Sequence, residues 1–261
     1  MTSQQLMQNS GESQTTADAV GDSFSAEHWL LYFEENKSAR VNIHFPTQIA
    51  VPPAVRTPLL RSLQRFQLGE TGEGKHLKKY AGTINDPIYE KCIDLFIKEE
   101  QFHARVLAQM IQAMDGTLLT WHWSDFAFVG LRRMLGLKTE IFILLIAEII
   151  GKCFYRVCAN KLADEKLSDA FSLIVLDEIG HLEFHCSFMS RQVRHFPAFL
   201  RRAVYYCWSV LFFASCFVFI ADHRAALDAL KVSPGEFMQD CTRMFDRAAA
   251  RTLPLENNVQ A

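Results

Sequence analysis

Two Glu-x-x-His motifs in this chain, Glu100-Gln-Phe-His103 and Glu178-Ile-Gly-His181, are matched: thirty residues before each lies another glutamate, Glu70 and Glu148. Residues three apart share one face of a helix, so each motif aims a carboxylate and an imidazole into the same space. Thirty residues is about what a helix, a turn and a returning helix consume when each helix is ~10–20 residues long. Glu70 should therefore face Glu100 across one helical hairpin, and Glu148 should face Glu178 across another. Four carboxylates and two imidazoles converging inside a four-helix bundle are the ligand set of a di-iron or di-manganese centre. The candidate metal ligands are Glu70, Glu100, His103, Glu148, Glu178 and His181.

The surroundings of these residues sharpen the reading. Glu148 sits in IFILLIAEIIGKCFY, apolar on every side for a full turn. A lone carboxylate there is costly and would take up a proton, whereas a cation removes the difficulty; the plainer alternatives are that Glu148 faces water from a hydrophobic helix or pairs with Lys152 at i+4. Glu100 and His103 interrupt the apolar stripe Ile93, Phe96, Ile97, Ala104, Leu107, and Glu178 and His181 interrupt Phe171, Ile174, Val175, Leu182. Solvated charges do not belong on such stripes. Glu99 falls one position off its stripe, a place for an outer partner or a surface group. On the first helix Glu73-Gly-Lys-His76 is a rival Glu-x-x-His; the thirty-residue symmetry favours Glu70.

Positioning these groups requires helices, and the sequence predicts them. Residues 1–24 are rich in Ser, Gln, Thr and Gly and read as a disordered arm. Residues 25–57 hold an amphipathic helix, Ala26 to Arg40, and an extended piece, VNIHFPTQIAVPP, whose prolines oppose helix. Within 58–195, bundle helices are predicted from about Pro58 to Gly82, Pro87 to Met114, Thr139 to Leu162 and Lys166 to His195. Asp115-Gly116 is the stop of the second. The segment 196–261 carries two more helical stretches, Ala198 to Leu230 and Ser233 to Arg251, the latter opened by a cap and an N1 proline at Ser233-Pro234. Strand-like alternation is nearly absent. The fold class is all-α: a four-helix bundle with additional N- and C-terminal helices.

Composition sets the outer bounds. The 261 residues suit one large domain with appendages, and 49% are hydrophobic, enough for a substantial core. A net charge of −2 gives no reason to expect a nucleic-acid partner. The seven cysteines form no C-x-x-C pair and no zinc spacing. Scattered along helical segments, they fit reduced, mostly buried thiols in a cytoplasmic protein. The N-terminal residues show neither a basic start nor an apolar run, so no secretory signal is expected.

The motifs resemble those of the ferritin-like di-iron carboxylate superfamily. Phe66-Gln-Leu-Gly-Glu70-Thr-Gly is similar to the Gly-Glu motif on the first bundle helix of rubrerythrins and ubiquinone-pathway hydroxylases, where the Glu is a metal ligand. Glu99-Glu100-Gln-Phe-His103 resembles the second-helix motif of rubrerythrins and soluble acyl-carrier-protein desaturases, and Asp177-Glu178-Ile-Gly-His181 that of the same desaturases. The resemblance spans about residues 58 to 195 and implies a ferritin-like bundle with two iron ions, manganese being the alternative metal. There are departures. No rubredoxin-type cysteine pair is present, and Ile174 stands where arylamine N-oxygenases carry an extra histidine. Leu107 occupies the place of the radical tyrosine of ribonucleotide reductase small subunits. His185, one turn after His181, is open to three roles: a seventh ligand, an outer partner or a surface residue. Tyr155, two turns after Glu148, reads first as a core tyrosine near the site.

Mixed oxygen and imidazole ligands suit iron that meets O₂. The expected function is an O₂-dependent di-iron oxidase or oxygenase (hydroxylation, N-oxygenation or desaturation) acting on a largely apolar small molecule. Phe96, Ile97, Phe171 and Ile174 are the expected pocket lining. No flavin, iron–sulfur or rubredoxin module occurs in the chain, so the electrons should come from an external donor, a reductase or a ferredoxin. The alternative function is ferritin-like iron handling or peroxide scavenging. One stretch stands apart: Ala203 to Ile220 runs eighteen residues without a charge. It suits membrane association, burial against the bundle or a homodimer interface. Arg191, Arg194, His195, Arg201 and Arg202 cluster just before it and suit a phosphate-bearing carrier or a lipid headgroup, or simply a helix end.

Overall fold

The computed structural model describes residues 25–72, 74–123, 130 and 137–254, and these form helices and connecting loops with no strand among them. The disordered arm expected at 1–24 and the rival ligand Glu73 lie outside the described residues. In chain order the helices are α1 (Ala26–Ala39), α2 (Pro53–Glu70), α3 (Lys75–Ala81), α4 (Pro87–Ala113), α5 (Leu137–Lys161), α6 (Glu165–Val193), α7 (Ala198–Asp222), α8 (Arg224–Ala229) and α9 (Pro234–Thr252), with a 3₁₀ turn at Gly82–Ile84.

Local chemistry sets the helix ends. Asp86 caps α4, accepting from the backbone N–H of Ile88 at 3.0 Å and Tyr89 at 3.1 Å, and Pro87 opens the first turn. The helix stops where Asp115 enters the left-handed region at φ 57° ahead of Gly116. Asp164 caps α6 through the N–H of Leu167. Ser233 and Glu236 form the reciprocal capping box of α9, with Pro234 at N1. The first bundle helix departs from the expected span. It begins at Pro53, because prolines at the first helical positions cost no hydrogen bond. It ends at Glu70, because Gly74 adopts φ 62°, a turn a residue with a Cβ would fill only by displacing Ile97. The stretch Ala198 to Leu230 is likewise two helices, parted at His223.

α2 packs along α4 and α5 along α6, the two hairpins implied by the thirty-residue spacing. α1 lies across α4, burying Trp29 and Phe33, and the Trp29 indole donates to Ser187 Oγ on α6 at 3.0 Å. α9 covers α5 and α6, and α7 rests on α5 and α9. One continuous core runs through the bundle and surrounds the polar cluster.

Candidate metal centre

Because Glu100 and His103 are one turn apart on α4, and Glu178 and His181 one turn apart on α6, the two motifs meet where the helices face each other. One ligand atom from each of these four residues lies within 4.8 Å of the other three, a group able to hold a metal ion. His181 Nδ1 stands 3.0 Å from Glu100 Oε1 and 3.7 Å from both Glu178 Oε2 and Glu148 Oε2. His103 Nδ1 stands 3.4 Å from Glu178 Oε1 and 3.6 Å from Glu100 Oε1. Glu148 of α5 thus borders the cluster from inside the apolar helix. Glu70, the last residue of α2, is held by the Tyr155 hydroxyl, which donates to its Oε1 at 2.8 Å, and its carboxyl meets that of Glu100. All six sequence-derived residues are brought to one place.

The outer shell explains why the imidazoles point this way. His103 Nε2 is 2.9 Å from Asp177 Oδ2, and His181 Nε2 is 2.9 Å from Glu99 Oε2. An ionised carboxylate only accepts, so each Nε2 carries its proton and donates outward. Each Nδ1 then faces inward, toward carboxylate oxygens with which it shares a proton in the metal-free protein; a cation displacing that proton would find the Nδ1 lone pair. Arg40, just past the end of α1, clamps the two outer acids: its Nη2 is 2.5 Å from Glu99 Oε1 and its Nη1 3.1 Å from Asp177 Oδ2. Its guanidinium lies 4.5 Å over the Phe102 ring. Tyr32 of α1 packs against Gly180, where any Cβ would overlap its hydroxyl, so the glycine lets α1 approach α6.

The protonation pattern is that of a site assembled for positive charge. Burial, then the neighbouring Glu178 carboxylate, pushes Glu148 well above the usual carboxylate range; burial and Glu100 do the same to Glu70. Burial also raises Glu100, with Glu148 adding to it. Burial would raise Glu178 too, yet hydrogen bonds from Glu148, His103 and His181 hold it well below. For both imidazoles burial acts downward and is outweighed by carboxylates, Asp177 and Glu178 for His103, and Glu100 and Glu148 for His181, leaving each well above its ordinary value. Buried Glu100 Oε1, His103 Nδ1, Glu178 Oε2 and His181 Nδ1 all lack a hydrogen-bond partner. Four buried polar atoms aimed at one another without well-formed hydrogen bonds are unfavourable unless a cation or shared protons lie among them. The donor set fits a metal.

A cavity of about 470 Å³ adjoins the cluster. Glu70, Glu100, Glu148 and Glu178 form its polar end, and Phe66, Leu144, Ile150, Leu211, Val218 and Phe219 are among its apolar walls. The expected lining is corrected here. Phe96 instead packs edge-on against His181 and His185, both at 4.7 Å, and Phe171 stacks on Tyr155 at 6.0 Å. The stripes that carry the ligands turn into the bundle core, so the cavity falls on the other side of the carboxylates.

His185 is fully buried between Phe96 and Phe184, with neither ring nitrogen hydrogen-bonded. Burial, and then the nearby His181, pushes its pKa down to about 3, so it is a neutral core imidazole and stands outside the four-residue group. Lys152 makes no ion pair with Glu148 among the described residues; burial lowers it to about 8. Sequence reasoning missed Arg40 and Tyr32, read only as parts of an amphipathic helix. It touched Glu99 and Asp177 without assigning their partners. The signal for these two was the acidic doublet repeated at the same place before both histidines.

Comparison with protein-family models, curated proteins and solved structures finds no match for this chain. What the molecule itself defines is an all-helical bundle with a carboxylate–histidine cluster able to bind metal.

Proposed function

We propose that the cluster holds two iron ions and that the protein is an O₂-dependent oxidase or oxygenase of ferritin-like type, acting on a largely apolar organic molecule. The observation that carries this reading is the junction of the buried, unpaired ligand atoms with a largely apolar cavity that opens beside α7, where the carboxylates that would hold metal are also its end wall. Glu70, Glu100, His103, Glu148, Glu178 and His181 would be the ligands. Iron bound there supplies the reduction of O₂.

The chain supplies the rest. Leu144 and Ile150 from inside the bundle, with Leu211 and Val218 at the open side, give the cavity an apolar wall that would favour an apolar substrate. Tyr155 holds Glu70 through its hydroxyl, which donates to Oε1 at 2.8 Å. Asp177 and Glu99 fix the ring orientation of the histidines, and Arg40 fixes the two acids. In this reading electrons come from a separate reductase or ferredoxin.

Single-turnover O₂ uptake by Fe(II)-loaded protein tests the proposal, with and without a panel of apolar amines, alcohols and acyl chains under ¹⁸O₂. Uptake stimulated by one class, with ¹⁸O incorporated or two hydrogens lost from it, is the expected result. Uptake indifferent to every organic molecule, with ferric mineral or peroxide consumption instead, would favour iron handling or peroxide scavenging.

A further inference from the structure

α7 is the part of the molecule that the proposed chemistry does not account for. Its mean hydropathy reaches 2.0 over eighteen residues, yet only 17% of that window is buried. Trp208, Phe212 and Cys216 form the buried inward stripe, with Phe212 stacked on Phe245 of α9 at 4.3 Å and Trp208 tilted against the same ring at 4.7 Å. Phe199, Tyr206, Val210 and Phe217 are each at least 66% exposed. At about 100° per residue the exposed positions cover roughly half the helix circumference. Such an apolar surface on a protein marks an interaction site.

Two observations identify what covers it. The first is continuity with the cavity. Leu211, Ala214 and Val218 are exposed on α7 and also line the cavity, and half-exposed Trp123 lines it too. The exposed arc and the wall of the cavity are thus one apolar surface. A second copy seated there would seal it, whereas a fluid hydrocarbon phase would leave the cavity in exchange with dissolved molecules. The second is charge. Exposed Arg191, Arg194 and Arg202 gather near the N-terminal end of α7, and no acidic residue occurs between Glu183 and Asp222. Cations at the end of an apolar arc match the phosphates above an acyl layer. Polar groups on the helix are not an obstacle, since the Ser209 hydroxyl donates to the Tyr205 carbonyl of the same helix at 2.8 Å. The Trp208 indole donates to the Phe142 carbonyl at 2.9 Å, tying α7 along α5 of the bundle.

We propose that the exposed arc of α7 seats this protein on an anionic lipid surface, with the cavity facing the acyl layer, so that its apolar substrate is drawn from the membrane. The substrate clause rests on the oxidase reading; the lipid clause does not. Flotation of the full-length, chelated protein with phosphatidylcholine vesicles, with and without phosphatidylglycerol, tests the lipid clause separately from O₂ chemistry. Flotation is expected with the anionic vesicles, reduced at least tenfold by Val210→Asp with Phe217→Asp, and reduced several-fold by Arg202→Glu. Bromine-labelled acyl chains should quench tryptophan emission, and Trp123→Phe should remove most of that quenching. Helix content and metal binding of the variants should stay at the wild-type level, since neither Val210 nor Phe217 lines the cavity. Absence of flotation, or flotation indifferent to the double substitution, overturns the proposal. So does a dimer in sedimentation that leaves vesicles unbound and dissociates on the double substitution.

Discussion

His103 of α4 reaches across the bundle to Asp177 of α6, Nε2 to Oδ2 at 2.9 Å, and His181 returns the same contact to Glu99 at the same distance. The two motifs therefore hold each other's imidazoles, and the helices are registered by the site itself. Asp177→Asn and Glu99→Gln should each lower metal affinity about 10–100-fold, because the amide no longer fixes which nitrogen carries the proton. Titration with Fe(II) or Co(II) reads this directly. Affinity unchanged in both variants would mean the outer acids do not orient the rings.

The pH dependence of stability should reverse on metal binding. In metal-free protein, burial raises Glu70 and Glu148 above the ordinary carboxylate value of 4.5, and the surrounding carboxylates, against burial, raise His103 and His181 above 6.5. Groups whose pKa rises on folding stabilise the protein most when protonated, and that contribution is lost as pH climbs through the raised values. Glu178 and Asp177 are depressed, despite burial, by hydrogen bonds and neighbouring positive charge, so their contribution is lost as pH falls. Chelated protein should be most stable near pH 4.5, below which the depressed Glu178 and Asp177 lose their contribution, and should weaken as pH rises from there toward alkaline values. A bound ion displaces the protons, so the metal-induced rise in Tm should grow as pH increases. A chelated Tm that climbs steadily from about pH 5 to 8 would contradict this protonation pattern.

His185 offers a test of where the site ends. Its two orphaned nitrogens are a burden in a core of Phe96 and Phe184. His185→Leu should raise stability by roughly 1–3 kcal/mol, the cost of leaving buried polar groups unsatisfied, with metal content unchanged. Loss of metal in this variant would make His185 a ligand.

The fold and the inner cluster were legible because periodicity reports burial. A charged residue inside an apolar stripe is out of place, and three such carboxylates, Glu100, Glu148 and Glu178, with Glu70 joined to them by the matched thirty-residue spacing, point to one site. The spacing alone placed α2 against α4 and α5 against α6. What was not legible depends on geometry between distant segments. Arg40 reaches Glu99 across fifty-nine residues, and nothing local to Arg40 marks that contact. The cavity was misplaced because a stripe shows which face is inside, not whether the interior there is filled. Phe96 and Phe171 fill theirs, while the open space lies between α2, α5 and α7. The break at Gly74 was missed because a glycine's positive φ is a property of the turn it sits in.

Metal stoichiometry after anaerobic Fe(II) reconstitution tests the central claim most directly. Four residues within 4.8 Å suffice for one ion, whereas the addition of Glu70 and Glu148 completes the six-ligand set of two. Elemental analysis of folded, desalted protein should give about two metal ions per chain, falling to about one or fewer in Glu148→Leu. A wild-type value of one or none, with helix content intact, would contradict the di-metal account.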